Sequence, residues 1–223
     1  MRAAVLTSGG KDSALALHRV INDGHDVAYL VSMIPVREGS WMFHYPNIRL
    51  VGLFAEAAGI PLIKSETRGI KEKEVEELEH LVAKLDVDCL VSGAIASVYQ
   101  KARIDKICKR LGLKSVAPLW HEDTQELMKE ILKLEFEAII TGVFAYGLTS
   151  KWLGRRIDTE CIEDLIELNR KYGVSIVGEG GEYETIVLDA TFFRKRIKIV
   201  ESRKTWKNQS GYFIITKAEL ESK

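Results

Sequence analysis

The sequence predicts an α/β fold: a parallel sheet with helices on both faces, followed by a smaller C-terminal α+β part. Three observations predict it. Short apolar runs alternate with helix-period segments about six times over the first two thirds of the 223 residues, as expected for strands joined by crossover helices. Glycine-bearing segments fall at the ends of the first and fourth strand-like runs, where ligands sit in such sheets. After about residue 145 the alternation stops and strand-like runs follow one another without helices between them. The expected parts are residues 1–145 and 146–223.

Each element has its own signal. Ala3-Ala4-Val5-Leu6 is a short uninterrupted apolar run, suited to a strand buried on both faces. Ala14 to Asn22 carries Leu15, Leu17, Val20 and Ile21 at helical spacing, and Asp23-Gly24 ends it. Val27 to Ile34 reads as the second strand. Residues 47–58 read as a helix, which Gly59-Ile60-Pro61 stops, and Leu62-Ile63 opens the third strand. Over 71–85, Val75, Leu78, Leu81, Val82 and Leu85 make one apolar stripe. Cys89-Leu90-Val91 is the fourth strand. Then come a helix over 97–111, a strand from Ser115 to Leu119, a helix over 123–133 and a strand at Ala138-Ile139-Ile140. In the C-terminal part, 159–172 reads as a helix. Val174–Val177, Glu184–Leu188, Lys195–Val200 and Gly211–Thr216 read as strands.

Composition removes several classes of function. Lys and Arg total 32 against 32 Asp and Glu, which excludes a generally basic nucleic-acid or membrane-surface binder. At 46% hydrophobic and 29% charged residues, the chain has the apolar content to fold around a core. Cys89, Cys108 and Cys161 are far apart and form no CxxC, so neither a disulfide framework nor a zinc site is expected. Reduced thiols and a cytoplasmic location follow. The start, MRAAVLTSGG, is too short an apolar run for a signal peptide, and no membrane association is expected.

Ser8-Gly9-Gly10-Lys11-Asp12-Ser13 is the most informative stretch. It lies between a buried strand and a helix. Two glycines allow a sharp turn and close approach to a ligand. Successive backbone N–H groups and the positive end of the next helix make an anion nest. Ser8 and Ser13 add hydroxyls and Lys11 adds positive charge, while Asp12 suits a phosphate cradle only if a divalent cation is present. The spacing excludes both G-x-x-x-x-G-K-[ST] and G-x-G-x-x-G.

Two further motifs follow. After the fourth strand comes Ser92-Gly93-Ala94-Ile95-Ala96-Ser97-Val98-Tyr99-Gln100-Lys101-Ala102-Arg103. Here Gly93 permits close approach to a ligand, and Gln100 and Arg103 share one helix face. Arg103 there suits a phosphate or carboxylate clamp, although spacing alone fits a solvated arginine as well. The third, Gly178-Glu179-Gly180-Gly181-Glu182-Tyr183-Glu184-Thr185, mixes glycines with carboxylates. It suits a cationic substrate, ammonia or Mg²⁺, and on composition alone a solvated turn equally.

SGGKDS resembles the pyrophosphate loop of the N-type ATP pyrophosphatases. With GAIxSxYQxxR, EGGEYET, Pro118-Leu119-Trp120 and Leu153-Gly154-Arg155, the chain resembles the diphthine–ammonia ligase (diphthamide synthase) family over nearly its whole length. The resemblance implies an adenine-nucleotide alpha-hydrolase-like sheet of the broad Rossmann type. Ser8, Gly9, Gly10, Lys11, Asp12, Ser13 and Gly93 are then nucleotide-binding, with Asp12 on Mg²⁺ and Lys11, Asp12 and Arg103 catalytic. Gln100, Arg103, Glu179, Gly180, Gly181, Glu182, Tyr183 and Glu184 are substrate-binding. It also implies the reaction. Elongation factor 2 carries diphthine, a modified histidine bearing a trimethylammonium group and a carboxylate. That carboxylate attacks the α-phosphate of ATP, and ammonia then displaces AMP to give diphthamide. Eukaryotic members carry added C-terminal domains, so a chain ending at Lys223 resembles the short archaeal form.

Other features carry expectations of their own. Tyr183 or Trp152 suits cation–π contact with the trimethylammonium group. The aromatic-rich segment 36–46, with His44, reads as a lid or partner surface. The basic stretch from Arg194 to Lys207, with Trp206, suits an acidic partner or RNA, or simply a solvated strand face. No stable nucleic-acid complex is expected, and a homo-oligomer stays open. Two competing readings share SGGKDS: a tRNA-modifying ATP pyrophosphatase, and a nucleotide-binding sensor without catalysis.

Overall fold

The computed structural model of the chain describes residues 1–35, 47–68, 70 and 73–223. The 36–46 segment and His44 lie outside the described residues. Five strands form a parallel sheet: β1 (Arg2–Leu6), β2 (Asp26–Pro35), β3 (Leu62–Thr67), β4 (Cys89–Val91) and β5 (Lys114–Val116). Their spatial order is β3-β2-β1-β4-β5, and every neighbour pair is parallel. The chain grows outward from β1 to β3, then returns to place β4 on the other side of β1. The order therefore reverses between β1 and β4, and a crevice opens at their carboxyl ends.

Alternation along the strands sends side chains to two faces. Ala3 and Val5 point to the face that takes α1 (Lys11–Asn22) and α2 (Val51–Ala58), where Leu15, Leu17 and Phe54 are buried. Ala4, Val31 and Leu90 point to the other face. There α3 (Lys73–Val82) contributes Val75, Leu78 and Val82, and α4 (Val98–Leu111) contributes Ile104, Ile107 and Cys108. Helices on both faces are thus as expected. Left-handed glycines cap α2 at Gly59 and α4 at Gly112.

The second sheet is antiparallel, in the order β7-β6-β9-β8. It contains β6 (Glu137–Val143), β7 (Tyr183–Asp189), β8 (Lys195–Lys207) and β9 (Ser210–Ser222). Before β6 lies α5 (Thr124–Lys133), and between β6 and β7 lies α6 (Thr159–Tyr172). Here one expectation is corrected. The run at 138–140 does not extend the parallel sheet; it pairs with β7 from Glu137↔Asp189 to Val143↔Tyr183 and with β9 at Gly142↔Tyr212. Its apolar run suits burial in either sheet, and the choice of partner is non-local. A second correction concerns Val174–Val177, which forms turns and no strand. All but Ser175 of these residues are buried, so the apolar run reflects packing alone.

β8 and β9 form a long hairpin closed by Asn208 and Gln209, both at positive φ (50° and 64°), the conformation that matches strand twist in a two-residue turn. Three of its basic residues are ion-paired: Arg196 with Glu221, Lys198 with Glu219 and Glu221, and Lys195 with Glu56. Among the described residues, no helix is long and apolar enough to cross a membrane.

Candidate active site

The first glycine loop is held by its own side chains. Gly9 sits at φ 79°, and its N–H donates to Thr7 Oγ1 at 3.0 Å. The Thr7 and Ser13 hydroxyls are 3.1 Å apart, and Ser13 Oγ donates to the Gly10 carbonyl at 3.0 Å. Gly10 is the N-cap of α1 and supplies no capping side chain. Of the first N–H groups of the helix, that of Lys11 is taken by Thr185 Oγ1, and the positive end at Asp12 and Ser13 borders the crevice.

β7 docks on this loop from the second sheet. Val187 N–H donates to the Gly9 carbonyl at 2.9 Å, and Lys11 N–H donates to Thr185 Oγ1 at 3.1 Å. The Lys11 side chain does not take the position expected of a phosphate ligand. It is buried, and its ammonium donates to both Asp12 oxygens (2.8 and 2.9 Å) and to the Val177 carbonyl (2.5 Å). The same ammonium lies 5.3 Å from the centre of the Tyr183 ring. Lys11 thus ties the first loop to the third.

In the second loop, Gly93 allows close approach, but to protein. A Cβ there would lie 2.8 to 2.9 Å from the backbone of Asp12 and Ser13. Ser97 caps α4 by accepting from Gln100 N–H at 3.4 Å. The Arg103 guanidinium stacks 3.4 Å from the Tyr99 ring centre and donates to the Tyr99 carbonyl at 3.2 Å. Tyr99 and Gln100 line the crevice, whereas Arg103 is not among its lining residues.

The three carboxylates of the third loop differ in fate. Glu179 accepts from the backbone N–H groups of Ile95 (2.7 Å), Ala96 (2.5 Å) and Ser97 (3.0 Å). Glu182 folds back on its own loop, accepting from Ser175 N–H at 3.3 Å, and does not line the crevice. Glu184 lines it. Tyr183 is buried and donates its hydroxyl to the Ile176 carbonyl at 2.5 Å. Burial, reinforced by Asp12, pushes its hydroxyl well above the usual tyrosine range, so it stays a neutral donor. The ring already faces Lys11, and Trp152 lies elsewhere, in a depression with Tyr146, Tyr172 and Trp206, with Arg155 4.6 Å over its ring. Neither aromatic is offered to a trimethylammonium group in the way expected.

Together the three loops line one cavity of about 540 Å³ at the β1/β4 reversal, within the size range of small-molecule sites. Ser8, Gly10, Lys11, Asp12 and Ser13 form one wall and Gly93, Tyr99 and Gln100 another. Glu179, Gly180, Gly181, Tyr183 and Glu184 close it. The polar lining also includes residues outside the expected binding set, among them Thr7, Ser32, Ser92, Tyr99 and Thr185. Ser32 and Ser92 are buried, line the cavity and have no hydrogen-bond partner for Oγ among the described residues. The signal for Ser92 was a serine directly after the apolar run of β4, and for Ser32 a serine interrupting the apolar run of β2. These orphaned hydroxyls, an apolar lining of Leu6, Val31, Met33 and Ile104, and the helix end at Asp12 and Ser13 fit a nucleotide. Among the described residues, no group of three His, Cys, Asp or Glu side chains forms a metal site. The single carboxylate of Asp12, already paired with Lys11, fits Mg²⁺ only as a partial ligand.

Residues 1–115 match the family model described as the diphthamide synthase N-terminal domain, and 123–220 match the model of its C-terminal domain. The chain belongs to the diphthamide synthase family. Its similar relatives include a Homo sapiens protein named diphthine–ammonia ligase, 37% identical over 91% of this chain and 84% of its own length. The Rattus norvegicus protein of that name is 36% identical over 89% and 83%. The Schizosaccharomyces pombe protein is 35% identical over 90% of this chain but only 36% of its own length. Large additions therefore belong to that yeast member of the family and not to the mammalian ones, which corrects the expectation for eukaryotic members generally. The fold also matches a crystal structure described as a predicted subunit of tRNA methyltransferase from Methanocaldococcus jannaschii. Its TM-score is 0.51 at 17% identity, covering 86% of this chain and 98% of that one. That likeness concerns the fold alone.

Proposed function

We propose that the protein is an ATP-dependent ligase that amidates diphthine on elongation factor 2, with ATP and ammonia as co-substrates, in the cytoplasm. The observation that carries this reading is the convergence of the three motif loops on one cavity at the β1/β4 reversal. Relatives named diphthine–ammonia ligase support the chemistry.

In this reading the triphosphate lies on residues 8–13, its charge met by the loop amides and the N-terminus of α1. Asp12, whose carboxylate is paired with Lys11, would hold Mg²⁺ when it is bound, and the ion would supply positive charge for the leaving pyrophosphate. The diphthine carboxylate oxygen attacks the α-phosphorus, the bond to the bridging oxygen breaks, and pyrophosphate leaves. Ammonia nitrogen then attacks the acyl carbon, the bond to AMP oxygen breaks, and the nitrogen loses a proton to water. Glu184 faces the cavity and provides negative charge for the trimethylammonium group or for ammonium. Gln100 and Tyr99 form the opposing wall, with Arg103 stacked on the Tyr99 ring outside the lining. Little covalent work falls to the protein; it positions groups and stabilises charge.

The test is incubation with ATP, Mg²⁺, ammonium and diphthine-bearing factor. AMP, pyrophosphate and diphthamide should appear in equal amounts, whereas ADP and phosphate would refute the mechanism. Asp12→Asn should lower turnover by about 100-fold or more. Unchanged turnover in that variant would remove Asp12 from the reaction.

A further inference from the structure

We propose that Glu179 is a positioning residue: its carboxylate plugs a nest of three backbone amides and so fixes the third loop across the cavity. The proposal rests on the ligase reading and replaces the expected role of Glu179 in binding a cation. Both carboxylate oxygens are already used, Oε1 by Ile95 and Ser97 N–H and Oε2 by Ala96 N–H. Hydrogen bonds to a charged acceptor are roughly twice as strong as neutral ones. Here three of them link segments more than 80 residues apart in the chain.

The receptor is rigid. Gly93 packs against the first loop, and the N-cap of α4 follows at Ser97. His121 N–H donates to the Ile95 carbonyl at 2.7 Å, so the same residue is held from both sides. His121 adopts φ 60° at this contact, a conformation uncommon for residues other than glycine.

Apart from Glu179, the loop that it anchors is ordered by its own turns, Gly178 N–H to the Ser175 carbonyl and Gly181 N–H to the Gly178 carbonyl (3.1 Å each), and by Phe144 N–H on the Glu182 carbonyl at 2.8 Å. Gly178 and Gly181 both sit at positive φ (69° and 82°), and Gly180 lies between them. Its stems are fixed by Lys11 on the Val177 carbonyl and by Tyr183 on the Ile176 carbonyl. Glu179 fixes its tip to the opposite wall of the cavity, and thus sets the gap into which the acid substrate must fit beside the nucleotide. A glutamine replaces it only in part: its oxygen can keep the Ile95 and Ser97 N–H groups, but its NH₂ group would face the Ala96 N–H.

The experiment compares the full-length protein with Glu179→Gln and Glu179→Ala. Three readouts are taken: amide hydrogen exchange at residues 95–97 without ligand, direct ATP affinity, and steady-state constants with diphthine-bearing factor. Exchange at 95–97 should accelerate roughly tenfold or more in both variants. KM for the protein substrate should rise by about tenfold, with ATP Kd within about twofold of the parent. Glu179→Gln should fall between the parent and Glu179→Ala. Unchanged exchange at 95–97 in Glu179→Ala would overturn the latch. Equal losses in ATP affinity and in KM would overturn the positioning role in favour of general destabilisation. If the parent protein forms no diphthamide, the ligase reading fails, and the exchange data still decide whether the latch exists.

Discussion

At Gly93 the first and second cavity loops meet backbone to backbone. The Cβ of an alanine would lie 2.8 Å from the Asp12 carbonyl carbon and 2.9 Å from both its oxygen and Ser13 N. None of these is a flexible side chain that could swing away, so the first loop itself must shift. Gly93→Ala should cost about 1–3 kcal/mol in stability through overpacking and weaken ATP binding by more than that loss explains. A calorimetric titration with ATP checks this, and full-strength binding would show that the loops tolerate separation. The cysteines give a second residue-level prediction. Burial pushes the Cys108 and Cys161 thiols up to about 11 from an ordinary 9.0. Both are protonated in the folded and unfolded chain below pH 9. Between pH 9 and 11 only the unfolded chain ionises there, so their contribution to stability is lost as pH rises through that window. The fall in urea midpoint from pH 8 to pH 10.5 should therefore shrink when both are replaced by alanine. An equal fall in both proteins would contradict it. The roles of single residues were the least legible part of the sequence. SGGKDS marked a loop that lines the cavity, but Lys11 reads there as a free cation. Only the fold brings the Val177 carbonyl and the Tyr183 ring to its ammonium. In the same way, Glu179 and Glu182 read as open acids until the amides of 95–97 and 175 are placed against them.

Elements were more legible, because their causes are local. Asp123 illustrates this: its side chain accepts from Gln125 N–H (2.9 Å) and Glu126 N–H (3.0 Å) and starts α5. That helix then buries Leu127, Met128 and Ile131. Asp123→Ala should cost about 1 kcal/mol and lower the melting temperature by about 2–4 °C for a chain of this size. It should leave turnover unchanged, since the cap lies outside the cavity lining. A melting curve and an activity assay on the same sample check both halves, and lost turnover would link α5 to the site. The ends of helices were readable for the same reason, as at Gly59 and Gly112. What the sequence did not show was which sheet a strand joins. Ala138-Ile139-Ile140 reads as a strand whichever partner it takes, and its pairing with β7 is set by residues more than 40 positions away. Val174–Val177 shows the opposite failure, since an apolar run can be buried without any ladder.

The whole molecule is joined by more than the cavity. One core cluster runs from Ala3 and Val5 in β1 through Leu15 in α1 and Phe54 in α2. It continues to Ile140 in β6, Val187 in β7 and Ile197 in β8. α1 and α2 are therefore covered by the parallel sheet on one side and reached by the antiparallel sheet on the other. The two parts also share polar ties: Val187 N–H to Gly9, Lys11 to Val177, and Glu179 to the amides of 95–97. Parts joined so closely should not melt separately, although the family models divide the chain between residues 115 and 123. Calorimetry should show a single transition with equal calorimetric and van't Hoff enthalpies, the mark of two-state unfolding. Saturating ATP should raise that transition as a whole by mass action, because the cavity is lined from both sheets' sides. Two resolved transitions, with only the first shifted by ATP, would show that the nucleotide loop is complete without β7. The bridging role of Thr185, Val187 and Glu179 would then fall with it.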